Sequence, residues 1–369
     1  MIVLLFMFVC AYCLLAVLIS RNIKSGIGGT IKIQPFVSVI IACKNEEENL
    51  PRLFESLRQL KYPSEKMEII LIDDASTDQS GILIKQFKST AENVLSIRLS
   101  QNEKEKPGKA GALLAGIDQS RGDIIFISDA DCQVPPDWIS SLLPAFQNDV
   151  GVVGGYTYIA QADSWFGHLQ ALDWRYLLSV ASAASQLNRP ITWVGNNLAI
   201  LRKAYNEVGG YRNVADSFVE DFALIDAIER NTRWQCRFYA SDDGAVKTGP
   251  APTLIRLYQQ RKRWAAGIRN VRPFGLLIMT TAFVTNILII LNIALQPVCG
   301  LIALILKIWG DIRIFAHRSS VDVKPKIGCM LLFQIYMIAN YLVLPFFFLF
   351  DRRIVWKGDP YKIQQSKMD

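Results

Sequence analysis

Three short runs rich in β-branched residues, 36–42 (FVSVIIA), 68–72 (EIILI) and 124–128 (IIFIS), each stop at a polar or acidic cluster. Continuous apolar runs of this length are what strands buried on both faces require. Helical periodicity separates them. Leu50, Leu53, Phe54, Leu57 and Leu60 share one stripe around 49–60, as an amphipathic helix demands. Helical stretches also fall near 79–89 and 109–118, with a further strand at 94–99. This alternation predicts an α/β fold, a mostly parallel sheet with helices on both faces. In open sheets of this kind ligands bind outside the carboxyl ends of the strands. Lys44-Asn45-Glu46, Asp73-Asp74 and Asp129-Ala130-Asp131 are therefore predicted to converge on one rim.

Hydrophobic residues make up 51% of the 369, a high share for a soluble enzyme, and the excess sits at the two ends. Residues 1–20 carry no charge and are just long enough to span a bilayer. They lack the basic start and small-residue cleavage site of a signal peptide. Arg21 and Lys24 follow, so the positive-inside rule predicts an uncleaved anchor with its start outside and a cytoplasmic domain after it, over 35–250. At the other end, residues 274–309 hold a single charge, Lys307, and a break at Gln296-Pro297. Spans are expected near 274–294, 297–316 and 328–350. The loop residues Arg313, Arg318, Lys324 and Lys326 suit a cytoplasmic side, as do Arg352, Arg353, Lys357, Lys362 and Lys367 in the tail, 351–369. Three spans would put that tail outside, so the region 274–350 holds two or three. The expected location is the inner membrane, with the domain on its cytoplasmic face.

Residues 251–272 read as a basic amphipathic helix for the membrane interface. Leu254, Leu257, Tyr258, Ala265, Ile268 and Val271 share one face, against Arg256, Lys262, Arg263, Arg269 and Arg272. An ordinary surface helix packed on the domain is the alternative. An edge-like strand is expected near 193–200 and a helix near 163–187.

The net charge of +7 suits anionic lipid and phosphate-bearing ligands. No dense Lys/Arg block with interleaved aromatics occurs, so no nucleic-acid partner is expected. The seven cysteines are scattered. Cys10 and Cys13 form a CxxC inside an apolar helix, with no second pair to make a zinc site. With only two histidines, His168 and His317, acid–base work falls to carboxylates.

Two carboxylates two residues apart at a strand end, Asp129 and Asp131, can share a hard divalent cation with phosphate oxygens; a helix cap or turn is the bland alternative. Asp73-Asp74 could likewise cap the next helix, yet two adjacent acids at a strand end need a ligand or donors to offset their repulsion. Lys106-Pro107-Gly108-Lys109-Ala110-Gly111 opens a helix where phosphate is favoured, without the spacing of a P-loop. Gly151-Val152-Val153-Gly154-Gly155 fails the dinucleotide pattern. Glu220-Asp221 stands before an apolar helix, either as helix N-terminal acids or as a site where one carboxylate deprotonates an acceptor hydroxyl. In Gln260-Arg261-Lys262-Arg263-Trp264, arginine suits a diphosphate and the indole a sugar face; a plain basic face with an interfacial Trp is the alternative.

In this order the four motifs resemble the membrane-bound family 2 glycosyltransferases, which include cellulose, chitin, hyaluronan and poly-N-acetylglucosamine synthases and, more distantly, ceramide glucosyltransferase. The likeness covers roughly 36–272. It implies a GT-A fold, a nucleotide-sugar donor (usually UDP-linked), Mg²⁺ or Mn²⁺, and inversion at the anomeric carbon. It implies that Glu46, Asp73 and Asp74 form the nucleoside pocket and that Lys109 contacts the donor. Asp131 resembles the main metal ligand, with Asp129 on the sugar or metal. Asp221, beside Glu220, resembles the base, and Gln260, Arg263 and Trp264 match QxxRW. Ala75 stands where glycine is commoner, and Gly195-Asn196-Asn197 is expected near the acceptor. The function expected is transfer of a sugar to a lipid-linked or growing glycan acceptor. Rival readings are a processive synthase with partner subunits, a non-catalytic membrane scaffold and a nucleotidyltransferase.

Overall fold

The computed structural model describes residues 1–24, 26–27, 34–100, 103–147, 149–160, 162–217, 219–266, 272–315, 327–350, 354–356 and 359–361. Ile268, Arg269, Val271, the basic residues 318–326 and those of the tail noted above lie outside the described residues.

An apolar helix, α1 (Ile2–Asn22), precedes the sheet. The first half then alternates as β1 (Val37–Cys43), α2 (Leu50–Arg58), β2 (Met67–Asp74), α3 (Ser80–Lys88), β3 (Val94–Leu99), α4 (Gly108–Asp118) and β4 (Ile124–Asp129). After α5 (Trp138–Leu142) come β5 (Val150–Gly154), β6 (Thr157–Ile159), the long α6 (Trp165–Gln186) and β7 (Leu198–Leu201). Two short helices, α7 (Arg202–Glu207) and α8 (Gly210–Asn213), lead to α9 (Glu220–Asn231), β8 (Gln235–Phe238) and β9 (Val246–Thr248). The chain continues as α10 (Leu254–Ala266), α11 (Pro273–Leu295), α12 (Pro297–Phe315) and α13 (Ile327–Phe350), and β10 (Ile354–Trp356) pairs with β11 (Asp359–Tyr361).

Seven strands form the main sheet in the order β3-β2-β1-β4-β7-β5-β8. Only β7 among them runs against its neighbours. The fold class read from the alternation is the one observed. The strand expected at an edge near 193–200 is instead interior: β7 lies between β4 and β5, and Leu198, Ala199 and Ile200 are fully buried. Its apolar residues face helices on both sides, which an edge strand does not need.

Alternation along β1 explains the unbroken apolar run. Ile40 enters one core with Ile70, Ile72, Leu113 and Trp174, while Val39 and Ile41 enter the other with Leu53, Phe54 and Trp138. Successive side chains of a strand point to opposite faces. The register then sets the rim: Ala42 pairs with Asp129, and Cys43 with Asp73. With neighbouring strands ~4.8 Å apart, the ends of β2 and β4 stand roughly 10 Å apart. The two loops at this rim are locked together. Asn45 donates its N–H to Ser76 Oγ at 3.1 Å, and Asn45 Oδ1 accepts from the Thr77 N–H at 2.8 Å.

Below the sheet, α1 packs on α6, α11 and α12. Leu5 and Val9 meet Leu288, Ile289 and Ala303, while Ala16 and Ile19 meet Val180, Ala183 and Ile314. Among the described residues, two helices, Ile2–Asn22 and Pro273–Leu295, are long and apolar enough to cross a membrane. The next helix, α12, differs from an unbroken apolar span because it buries Lys307 against Asp311 at 3.0 Å. Gln334 donates to the same carboxylate at 2.7 Å.

Candidate active site

Lys109 stands at the second position of α4, and the left-handed backbone of Gly108 (φ 66°) aims that turn at the strand ends. Its Nζ lies 2.6 Å from Asp129 Oδ1 and 3.3 Å from Glu220 Oε1. Burial disfavours the lysine's charge, but Asp129, Asp221 and Glu220 outweigh it and push its pKa well up. A permanent cation is thus held where β4 ends and α9 begins, between residues some ninety positions apart.

Asp221 is buried beneath the loop joining α6 to β7. A Cβ on Gly195 would overlap its carboxylate, so only glycine fits there. Tyr211 Oη donates to Asp221 Oδ1 at 3.4 Å. The Gly209-Gly210 turn that delivers Tyr211 uses left-handed backbone at both glycines, φ 72° and 58°, which other residues adopt only at a cost. Burial raises the Asp221 carboxyl to about 7; Glu220 and Asp129 add to the rise, and Lys109 and Arg263 oppose it. Asp221 is therefore a carboxylate whose proton affinity matches neutral pH, as a base requires.

The loop that covers it is held rigidly. Asn196 Oδ1 accepts from Thr157 Oγ1 at 2.8 Å, and Ser128 Oγ donates to the Asn196 carbonyl at 2.9 Å. Asn197 bridges Trp138 Nε1 (2.8 Å) and the carbonyls of Tyr156 and Gly244.

On α10, Arg261 pairs with Asp173 of α6, whose Oδ2 also accepts from Tyr336 Oη of α13 at 2.9 Å. The Arg261 guanidinium lies 4.6 Å over the Trp264 ring, which meets the Trp174 ring at 5.2 Å. Of the face expected to be apolar, Leu257 and Ala265 are buried, but Leu254 is 70% exposed. Lys262, expected among the exposed charges, is buried.

Lys109, Asp129, Asp131, Glu220, Asp221, Gln260, Arg263 and Trp264 all line one cavity of about 520 Å³. Asp73, Asp74 and Glu46 do not line it. Asp73 Oδ1 accepts from the Ser76 N–H at 3.0 Å. Asp74 pairs with Lys104, and its buried Oδ2 has no hydrogen-bond partner among the described residues. Glu46 accepts from Asn49 Nδ2 at 2.7 Å and donates its N–H to Ser80 Oγ at 2.8 Å. Those bonds knit the rim loops and leave Glu46 apart from the cavity. Sequence reasoning missed Lys104, Asp173, Tyr211 and the steric role of Gly195. Only the glycine pair before Tyr211 offered a local signal.

No group of three or more His, Cys, Asp or Glu gathers around a metal position among the described residues. Asp129 and Asp131 nonetheless fit a divalent cation shared with a diphosphate. Desolvation against the cavity wall pushes the Asp131 carboxyl up and the adjacent Asp129 charge adds to it, although the residue itself is exposed. Two like charges two residues apart at the cavity, Asp129 half-buried and Asp131 open to solvent, are what such a cation neutralises, and sparse ligation completed by phosphate and water suits Mg²⁺.

Residues 38–209 match Glycosyl transferase family 2, and residues 124–350, more than half of the chain, match Glycosyl transferase family group 2. The chain belongs to the family 2 glycosyltransferases. Among the relatives of this glycosyltransferase, the beta-monoglucosyldiacylglycerol synthase of Nostoc sp. is 30% identical over 251 residues, 67% of this chain and 51% of that protein. The poly-beta-1,6-N-acetyl-D-glucosamine synthase of Staphylococcus aureus is 28% identical over 64% of this chain and 55% of its own length. The chain spans about half the length of the curated relatives it matches. A mannosyltransferase from Pyrobaculum calidifontis, solved in complex with GDP-Man and Mn²⁺, superposes with a TM-score of 0.60 at 18% identity. The match covers 95% of this chain and 98% of that one. Likeness at that identity establishes the fold, the GT-A type of mostly parallel sheet.

Proposed function

We propose that this glycosyltransferase moves a sugar, with inversion, from a nucleotide-sugar to a hydroxyl of a lipid or glycan acceptor at a membrane surface. The observation that carries the reading is the position of Asp221. It is a buried carboxylate with a pKa near 7, in the same cavity as Asp129, Asp131 and Lys109.

In the step, the acceptor O–H gives its proton to Asp221 and its oxygen bonds to the anomeric carbon. The bond from that carbon to the diphosphate oxygen breaks in line, and its electron pair leaves on the nucleoside diphosphate. A single base with in-line displacement inverts the centre. Asp129 and Asp131 would hold Mg²⁺ or Mn²⁺, which when bound supplies charge neutralisation for the leaving diphosphate. Lys109 holds Asp129 and Glu220 together and adds fixed positive charge. Arg263 and Gln260 face the diphosphate, and Trp264 offers its ring to a sugar. The unbonded oxygen of Asp74 suits a base N–H, a UDP-linked donor being the reading favoured. Glu46 supports that pocket by holding its loop.

The membrane setting is supported by α1 and α11, and Arg21 and Lys24 after α1 favour a cytoplasmic domain on the inner membrane. The test is a panel of labelled UDP- and GDP-sugars, with Mn²⁺ or EDTA, on the membrane fraction. Label should move from one donor in a metal-dependent way. Bound nucleotide without transfer from any donor would support the scaffold instead.

A further inference from the structure

The cavity does not end at the carboxylates. It continues downward between α6 and α11, where its lining changes character. Gly275, Ile278, Met279 and Ala282 recur at the i, i+3, i+4, i+7 spacing, so one stripe of α11 forms a wall. Leu177 and Val180 of α6 line the same space, with Tyr176 beside them. From Gly275 to Ala282 the wall runs ~10 Å along the helix axis. The stripe belongs to Pro273–Leu295, a helix long and apolar enough to cross a membrane.

Two features decide what this end can hold. The first is chemical. The α11 stripe and Leu177, Val180 and Ile191 present hydrocarbon; of the tyrosines there, Tyr176 has its hydroxyl bonded to Tyr12 Oη at 2.8 Å and Tyr341, packed on Phe283, adds a single further hydroxyl. A growing glycan needs partners for its hydroxyls, and burying them unpaired is destabilising. The second is access. Met279 lines the cavity and is also 37% exposed, and beside it Leu276 and Leu277 are 58% and 52% exposed. The inner wall is therefore continuous with the apolar outer face of α11, the face a bilayer would cover.

We propose that the acceptor is a lipid whose hydrocarbon chain lies between α6 and α11. It enters from the bilayer past Met279 and carries its head-group hydroxyl up to Asp221. This rests on Asp221 being the base. The hydroxyl proton passes to that carboxylate, its oxygen bonds to the anomeric carbon, and the bond to the diphosphate oxygen breaks with its electron pair leaving on the nucleotide. The product is a single-sugar lipid rather than a lengthening polymer.

The full chain in phosphatidylcholine/phosphatidylglycerol vesicles tests this. Diacylglycerol and a polyprenol, each with a free hydroxyl and a diazirine near the end of its chain, are supplied in parallel. One of them should cross-link within 174–184 and 273–284 and be displaced by its unlabelled form; which one does so identifies the lipid. With labelled donor, the sugar should enter the chloroform-extractable fraction. Ala282→Leu and Val180→Trp should each lower that transfer tenfold or more, while Mn²⁺-dependent binding of UDP or GDP stays within twofold of the parent. Should either variant fail to fold, cross-linking of the parent protein still decides. Absence of cross-links at both segments, or label in a water-soluble polymer, overturns the lipid site and leaves the Asp221 reading standing. Failure of transfer to any acceptor, with nucleotide still bound, overturns the reading beneath it.

Discussion

The backbone of Gly195 presses against the carboxylate of Asp221 so closely that no side chain fits between them. The loop that carries Gly195 is pinned through Asn196 and Asn197, so it cannot retreat. Gly195→Ala must therefore displace Asp221. Turnover should drop on the order of 100-fold, the scale of losing a positioned base. Nucleotide affinity, measured by titration calorimetry, should stay close to that of the parent.

Asp221→Asn should abolish transfer with nucleotide binding largely kept, and the pH profile gives a second check. The group is a carboxylate whose pKa burial has raised to about 7, and a base works only when deprotonated. The kcat/KM value should thus rise with pH through about 7 and level off above it. A flat profile between pH 5 and 8 would remove Asp221 from the role.

Asp131→Ala should take away the dependence on Mg²⁺ or Mn²⁺ and the donor affinity together, because the remaining Asp129 is held by Lys109. Titration of Mn²⁺ against donor turnover reads this directly. An unchanged titration curve contradicts the assignment.

Asp173 is the counter-ion of Arg261, which lies over Trp264. Removing one partner of a buried ion pair costs about 3–5 kcal/mol. Asp173→Asn should lower the thermal midpoint and weaken acceptor use roughly tenfold. Tyr336→Phe, which keeps the ion pair, should have a smaller effect on both. Equal losses in the two variants would show that the ion pair is not what positions Trp264.

Ala75 holds a left-handed backbone, φ 52°, at the end of β2. That conformation costs an L-residue roughly 1–2 kcal/mol, and glycine's greater chain entropy cancels about half of the gain. Ala75→Gly should raise stability by at most about 1 kcal/mol in thermal unfolding, with turnover kept. A clear loss of stability contradicts the strain.

The fold class, the rim and the family were legible in the chain because their signals are local. A strand buried on both faces needs an unbroken apolar run, and the polar residue that ends it marks the rim. Asp129, Asp131, Glu220 and Asp221 stand at such element ends, so they could be named without coordinates. The interior place of β7 could not, since four apolar residues read alike at an edge or in the middle.

What tertiary structure alone decided is which distant groups touch. Gly195 against Asp221, Asp173 under Arg261 and Lys104 on Asp74 join residues on separate elements, and no periodicity encodes those contacts. Pattern reports which face of a strand or helix is apolar. The distance between two faces, and so the cavity between α6 and α11, is settled only when whole layers pack.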